Sequence, residues 1–208
     1  MAMLQPTFAL TIGSLSSTTD SPVAGPQSFR VERDMDVAAD ALQVRLMERS
    51  GVSLDAPITL DLGHDGENER VFTGTVVRLR PAISGVTVLA LGTMHGLLSL
   101  SFASTFENQT AGNIVRNLLG EAGLTGGTIN DGPELPRFAI GRCQSAYAHI
   151  KGLADRLGYE LYANRDGEIM FHALGDAAKL DAAGGLGGTV AGAASGNLLY
   201  CALCLTKN

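Results

Sequence analysis

Tryptophan is absent from the 208 residues, and the other aromatics are few: seven Phe and four Tyr. Modules that recognise carbohydrate or a carried effector present aromatic platforms, and this chain has few to spare. Positive charge is also short. Fifteen Lys and Arg stand against 21 Asp and Glu, a formal net charge of -6 with a pI near 5.1. A nucleic-acid binder needs a basic face to displace counterions from phosphates, so that class ranks low. Three cysteines make no disulfide framework and fit a reducing compartment. No run approaches the ~20 apolar residues of a membrane span, which gives no ground for stable membrane insertion. The opening "MAMLQPTFALTIG" lacks a basic region before its apolar stretch and a small-residue cleavage pattern, and reads as a strand rather than a signal peptide.

What is present suits a turn-rich protein. Hydrophobic residues make up 45% of the chain, enough for a real core, and 26 glycines imply many tight turns. Up to about residue 105, short segments of strand character are separated by turn signals: Phe8 to Ile12, Ser28 to Arg33, Ile58 to Leu62, Val71 to Arg80 and Val86 to Gly92. That spacing suggests a barrel or sandwich. "DVAADALQVRLME" begins with helix formers, but Leu42, Val44 and Leu46 alternate, so a strand is expected from Ala41 to the stop at Gly51. "LGHDGENER" is a polar hairpin loop in which Gly63 and Gly66 are expected to supply positive φ.

Beyond residue 105 helical spacing takes over. Thr110 can cap a helix whose Ile114, Val115, Leu118, Leu119 and Ala122 share one face, with Gly123 as its stop. In "RCQSAYAHIKGLADRLGYELYANRDGEIMFH", Tyr147, Ile150, Leu153, Ala154 and Leu157 recur at three- and four-residue intervals, and Gly158 ends that second helix. "YELYA", the turn "NRDG" and "EIMFH" follow as a β-hairpin, with Tyr159, Leu161, Ala163, Ile169 and Phe171 turned to one face. "GGLGGTVAGAASGN" reads as a flexible linker and "LLYCALCLTK" as a last apolar strand.

Candidate chemistry is sparse. Cys201 and Cys204 have C-x-x-C spacing, and Cys143 or a histidine could complete a zinc site. In a strand, however, residues three apart point to opposite faces, which favours buried strand cysteines. His64 and Asp65 beside Asp61 could form an acid/base pair or a metal loop, but a solvated hairpin tip is the better reading. Gly184 to Gly196 lacks the Lys-Ser/Thr ending of a phosphate loop. "NQT" at Asn108 matches a glycosylation sequon, a pattern that recurs by chance. No G-x-S-x-G or H-E-x-x-H occurs. No catalytic, cofactor-binding or metal residue is nominated.

Two stretches carry a resemblance. "VERDMDVAADALQVRLMERSGVSLDAPITLDLGHDGENERVFTGTVVRLRPAISGVTVLALG" resembles the first β domain of the tail-hub family: phage late control D proteins, the gp27-like hub and the N-terminal part of VgrG spike proteins. "FENQTAGNIVRNLLGEAGL", followed by the helix-and-hairpin run above, resembles that family's small α/β part. The likeness spans roughly residues 28 to 172 and departs from the family afterwards, where fewer than 40 residues stand in place of a second β domain.

The resemblance implies an α+β, mainly β fold. Residues 1–104 would be a hub-type β-barrel domain and 105–175 a small α/β domain of two helices and a hairpin. Residues 176–208 would be a Gly/Ala-rich linker and the C-terminal strand of a reduced second β domain. It further implies a non-enzymatic, cofactor-free subunit of a contractile phage tail or injection system. Such a subunit assembles in the bacterial cytoplasm and forms a homotrimeric ring that joins the tail tube protein to the central spike protein, beside the baseplate wedge proteins. Candidate subunit contacts are Phe29, Val31, Phe72 and Val76 on strands, and Leu198, Leu199, Tyr200 and Leu203 in the tail. The apolar segment Leu198 to Leu205 reads equally as a central strand of the chain's own barrel. Two alternatives stay open, a peptidoglycan-cleaving tail component and a carbohydrate- or effector-binding β module.

Overall fold

The computed structural model describes residues 5–34, 37–48, 51–174 and 201–204, the last of these by backbone only. It divides into two compact units, residues 1–93 with 165–167 and 198–208, and residues 94–164 with 168–197.

The first unit is built on one antiparallel sheet. Its strands are β1 (Pro6–Ile12), β2 (Leu15–Thr18), β3 (Pro26–Glu32), β4 (Ala41–Leu46), β5 (Pro57–His64), β6 (Glu67–Ala82) and β7 (Gly85–Gly92). With the distant strand β13 (Cys201–Cys204) the order is β13-β3-β4-β7-β6-β5-β1-β2. Strict alternation makes these strands: Leu42, Val44 and Leu46 are buried while Gln43 and Arg45 are exposed, and Val86, Val88 and Ala90 repeat the pattern on β7.

The sixteen-residue β6 explains the curvature. Its first half pairs with β5, from His64↔Glu67 to Pro57↔Thr75, and its second half with β7, from Gly74↔Gly92 to Ala82↔Gly85. Register shifts between Leu60/Asp61 and between Val76/Arg78 mark bulges, which bend a strand and increase its twist. The sheet therefore curls into a half-barrel. Phe8 on β1 and Phe29 on β3, five places apart in the strand order, meet across the interior with ring centroids 5.1 Å apart. Leu10, Leu42, Val44, Ile58, Leu60 and Phe72 fill the space between them.

The hairpin expected within residues 62–70 is present, but only one of its two glycines has the expected positive φ. Asp65 (φ +53) and Gly66 (φ +91) supply the left-handed positions, the two-residue turn that matches strand twist. Gly63 stands in β5 opposite Asn68 and is needed for space, since a Cβ there would lie 1.7 Å from the Glu67 carbonyl oxygen.

The second unit contains α1 (His95–Ser99), β8 (Ser104–Thr110), α2 (Ala111–Glu121), β9 (Gly126–Ile129), β10 (Glu134–Ile140), α3 (Ala146–Leu157), β11 (Tyr159–Ala163) and β12 (Ile169–Ala173). Thr110 caps α2 by accepting from the Asn113 N–H, and Ser145 caps α3 by accepting from the Ala148 N–H. Gly158, at φ +68, closes α3 in the left-handed conformation. β11 and β12 pair antiparallel from Tyr159↔Ala173 to Ala163↔Ile169, and β9 joins β12 in parallel. β12 is thus a central strand: Ile169, Met170, Phe171 and His172 are all buried, so both its faces are covered. The expected hairpin is therefore present, and β9 extends it into a three-stranded sheet that covers the face alternation left open. A separate ribbon pairs β8 with β10.

Candidate functional site

The strand residues nominated for subunit contact lie inside the first unit. Phe29 is 2% exposed, Val31 5%, Phe72 2% and Val76 0%, and all four belong to its hydrophobic core. Their side chains hold the half-barrel together, so only backbone edges or outward-facing neighbours on the same strands are open to a partner. Leu198, Leu199 and Tyr200 lie outside the described residues. Leu203 lies on β13, whose backbone pairs with the outer edge of β3 in the register Cys201↔Val31 to Cys204↔Ser28. Among the described residues this strand is the outermost of the sheet, beside β3.

The groups weighed for chemistry are held in structural pairings. Asp61 forms an ion pair with Arg70 across β5 and β6, and hydrogen bonding to that carboxylate raises the guanidinium further above its ordinary value. Asp65 Oδ1 accepts from the Gln5 N–H at 3.1 Å, which ties the hairpin tip to the start of the chain's first strand. Buried His172 sits between the Tyr162 hydroxyl, 3.1 Å from Nε2, and the Ala173 carbonyl, which accepts at 3.1 Å from Nδ1. Cys143 is exposed. Among the described residues no group of three or more His, Cys, Asp or Glu is placed to hold a metal ion, and no helix is long and apolar enough to cross a membrane.

Reading residues along each strand missed the outward face of the sheet. Partners in register point to the same side, so Arg45 on β4, Thr87 on β7 and Arg80 on β6 form one row. Arg30 on β3, Gln43, Leu89 and Arg78 form the next. Four arginines thus share the face opposite the core. Arg30 pairs with Glu32 at 2.6 Å, and Arg45 donates to the Ser84 hydroxyl at 2.9 Å. Arg45, Arg78 and Arg80 have no carboxylate partner among the described residues. Arg78 lines a groove together with Val52, Ser53, Leu54, Val77 and Leu79, the last of which packs against the core. The signal lay in the Arg-Leu-Arg alternation at residues 78–80, but the register that stacks it against Arg45 is a tertiary fact.

The mainly β fold expected from the sequence resemblance is present, and solved phage tail and type VI secretion proteins share it. The 43 kDa tail protein of prophage MuSo2 from Shewanella oneidensis is similar over 81% of this chain and 54% of its own, at 19% identity and a TM-score of 0.66. A tail protein from Neisseria meningitidis MC58 matches 80% of this chain and 50% of its own, at 13% identity and TM-score 0.63. The E. coli c3393 protein, a type VI secretion component with structural similarity to the T4 tail proteins gp27 and gp5, matches 78% and 47%, at 13% identity and TM-score 0.55. The chain spans about half the length of these solved proteins. No protein-family model and no curated protein matches it in sequence.

Proposed function

We propose that this chain is a structural hub subunit of a contractile phage tail or a phage-tail-like injection system, and that it forms a trimeric ring joining the tail tube to the central spike. The observation that carries this reading is the extent of the likeness, which covers about four-fifths of this chain in tail proteins from two different bacteria. A subunit of this kind works by shape. It presents strand edges and outward faces to identical neighbours, and closed cyclic symmetry satisfies them without turnover. The role is non-enzymatic and needs no cofactor.

In this reading residues 1–104 form the hub β domain, 105–175 the small α/β domain and 176–208 a Gly/Ala-rich linker and a C-terminal strand, although the backbone of Cys201–Cys204 joins the first unit's sheet beside β3 rather than a second β domain. Leu198, Leu199, Tyr200 and Leu203 belong to the contact between subunits, while Phe29, Val31, Phe72 and Val76 serve it by holding the edges and outer face in shape. The tube, spike and wedge proteins are its neighbours in a virion tail or injection particle assembled in the cytoplasm. Negative-stain electron microscopy of the purified chain tests the reading. Closed rings with threefold symmetry are expected, and a field of isolated single particles at every concentration would contradict it.

A further inference from the structure

We infer that the arginine face of the first unit's sheet, through Arg45, Arg78 and Arg80, docks the acidic β5–β6 hairpin tip, Asp65 and Glu67, of a second copy of this chain, in a head-to-tail contact. The inference rests on the ring reading and specifies which surfaces close the ring.

Three observations carry it. First, the face is charged: the guanidinium groups of Arg45, Arg78 and Arg80, which have no carboxylate partner among the described residues, lie on adjacent rows with Thr87, Gln43 and Leu89 between them. Neighbouring strands are ~4.8 Å apart, so Arg45 and Arg80 stand about 10 Å from each other. Second, the opposite charge sits at the far end of the same strand. β6 begins at Glu67, next to the turn that carries Asp65, and both residues are exposed. Arg80 lies thirteen positions after Glu67, about 40 Å along an extended strand. The Debye length at physiological salt is ~8 Å, so one molecule's tip cannot neutralise its own patch, whereas the next molecule's tip can. Third, these basic groups are all arginine. The first lysine of the chain is Lys151, and the guanidinium fork pairs bidentately with carboxylates at interfaces.

The two surfaces differ, so the contact is heterologous. Repeated contacts of that type generate a ring when the rotation closes.

The experiment is sedimentation velocity on the full-length chain from 50 to 500 mM NaCl. It compares wild type with Arg78→Glu/Arg80→Glu, with Asp65→Arg/Glu67→Arg, and with all four changes combined. Each double reversal is expected to weaken self-association at least tenfold, and the fourfold variant, in which the charges have exchanged places, is expected to regain it. That recovery separates a charge contact from a folding defect. A stable trimer that ignores both salt and the reversals overturns this inference and leaves the ring reading standing. A chain that stays monomeric at every salt concentration overturns both.

Discussion

Replacing Phe72 by alanine separates the two roles that this residue could have, core or contact. Its ring is 2% exposed and packs over Gly74, where even one added carbon would lie 2.9 Å from Cε1. The backbone on that flank is too close to follow the truncation inward, because the same carbon would also lie 2.2 Å from the Leu91 carbonyl oxygen. A cavity should persist, at the ~3–5 kcal/mol typical of buried Phe→Ala changes. A unit of this size holds ~5–14 kcal/mol in total, so a large part of its stability would go. At ~4–8 °C per kcal/mol the melting temperature should fall by at least ~12 °C. Urea denaturation followed by circular dichroism is the assay. The midpoint should drop with the slope unchanged, since the surface exposed on unfolding barely alters. If Phe72→Ala kept the wild-type midpoint and lost self-association instead, Phe72 would be a contact residue and its placement in the core would be wrong.

Other substitutions probe the second unit and the half-buried carboxylate of Asp40. Ser145→Ala removes the side-chain acceptor for the Ala148 N–H and should cost about 1 kcal/mol, read as a lower denaturation midpoint. Gly112→Ala would gain up to ~1 kcal/mol in helix propensity. Its Cβ would however meet the Asn130 carbonyl oxygen at 2.6 Å and the Asp131 Cα at 2.8 Å, and overpacking against backbone costs ~1–3 kcal/mol, so net destabilisation is expected on thermal melting. Asp40 is raised above its ordinary value by burial, and the Arg33 guanidinium at 2.9 Å opposes this only in part. The folded state therefore binds the proton more tightly than the unfolded one. Stability from this group falls as pH rises through the unfolded and then the folded pKa, and is regained on acidification. In calorimetry at pH 7 and pH 4, the difference between wild type and Asp40→Asn should move in favour of wild type at the lower pH; an unchanged difference would remove the proposed linkage.

Where a segment buries one face and leaves the other in water, its residues announce it. Leu42, Val44 and Leu46 outweighed the helix formers that precede them, and β4 runs from Ala41 to Leu46. Thr110, Gly158 and the three- and four-residue spacing of α2 and α3 were legible because caps and amphipathic faces are local properties. β8 and β10 were missed because their residues are mostly half-exposed or exposed, which leaves no alternation to read. β2 and β9 have four residues each, and two of those in β9 are glycines. β12 was read as one-sided because its neighbour β9 lies some forty residues earlier, and only that parallel pairing makes it central. The candidate contact residues show the same limit. Apolar alternation in Phe29, Val31, Phe72 and Val76 reports burial, and nothing local says whether the burying surface belongs to the same chain. The arginine rows depend on strand order, which no single segment encodes.

The most direct test of the trimeric ring is the solution mass of the purified chain by light scattering across a concentration series, at low and moderate salt. Three chains of 21.6 kDa give the expected mass, about 65 kDa, independent of concentration once the ring has closed. A mass near that of one chain throughout the series would contradict a self-assembling hub.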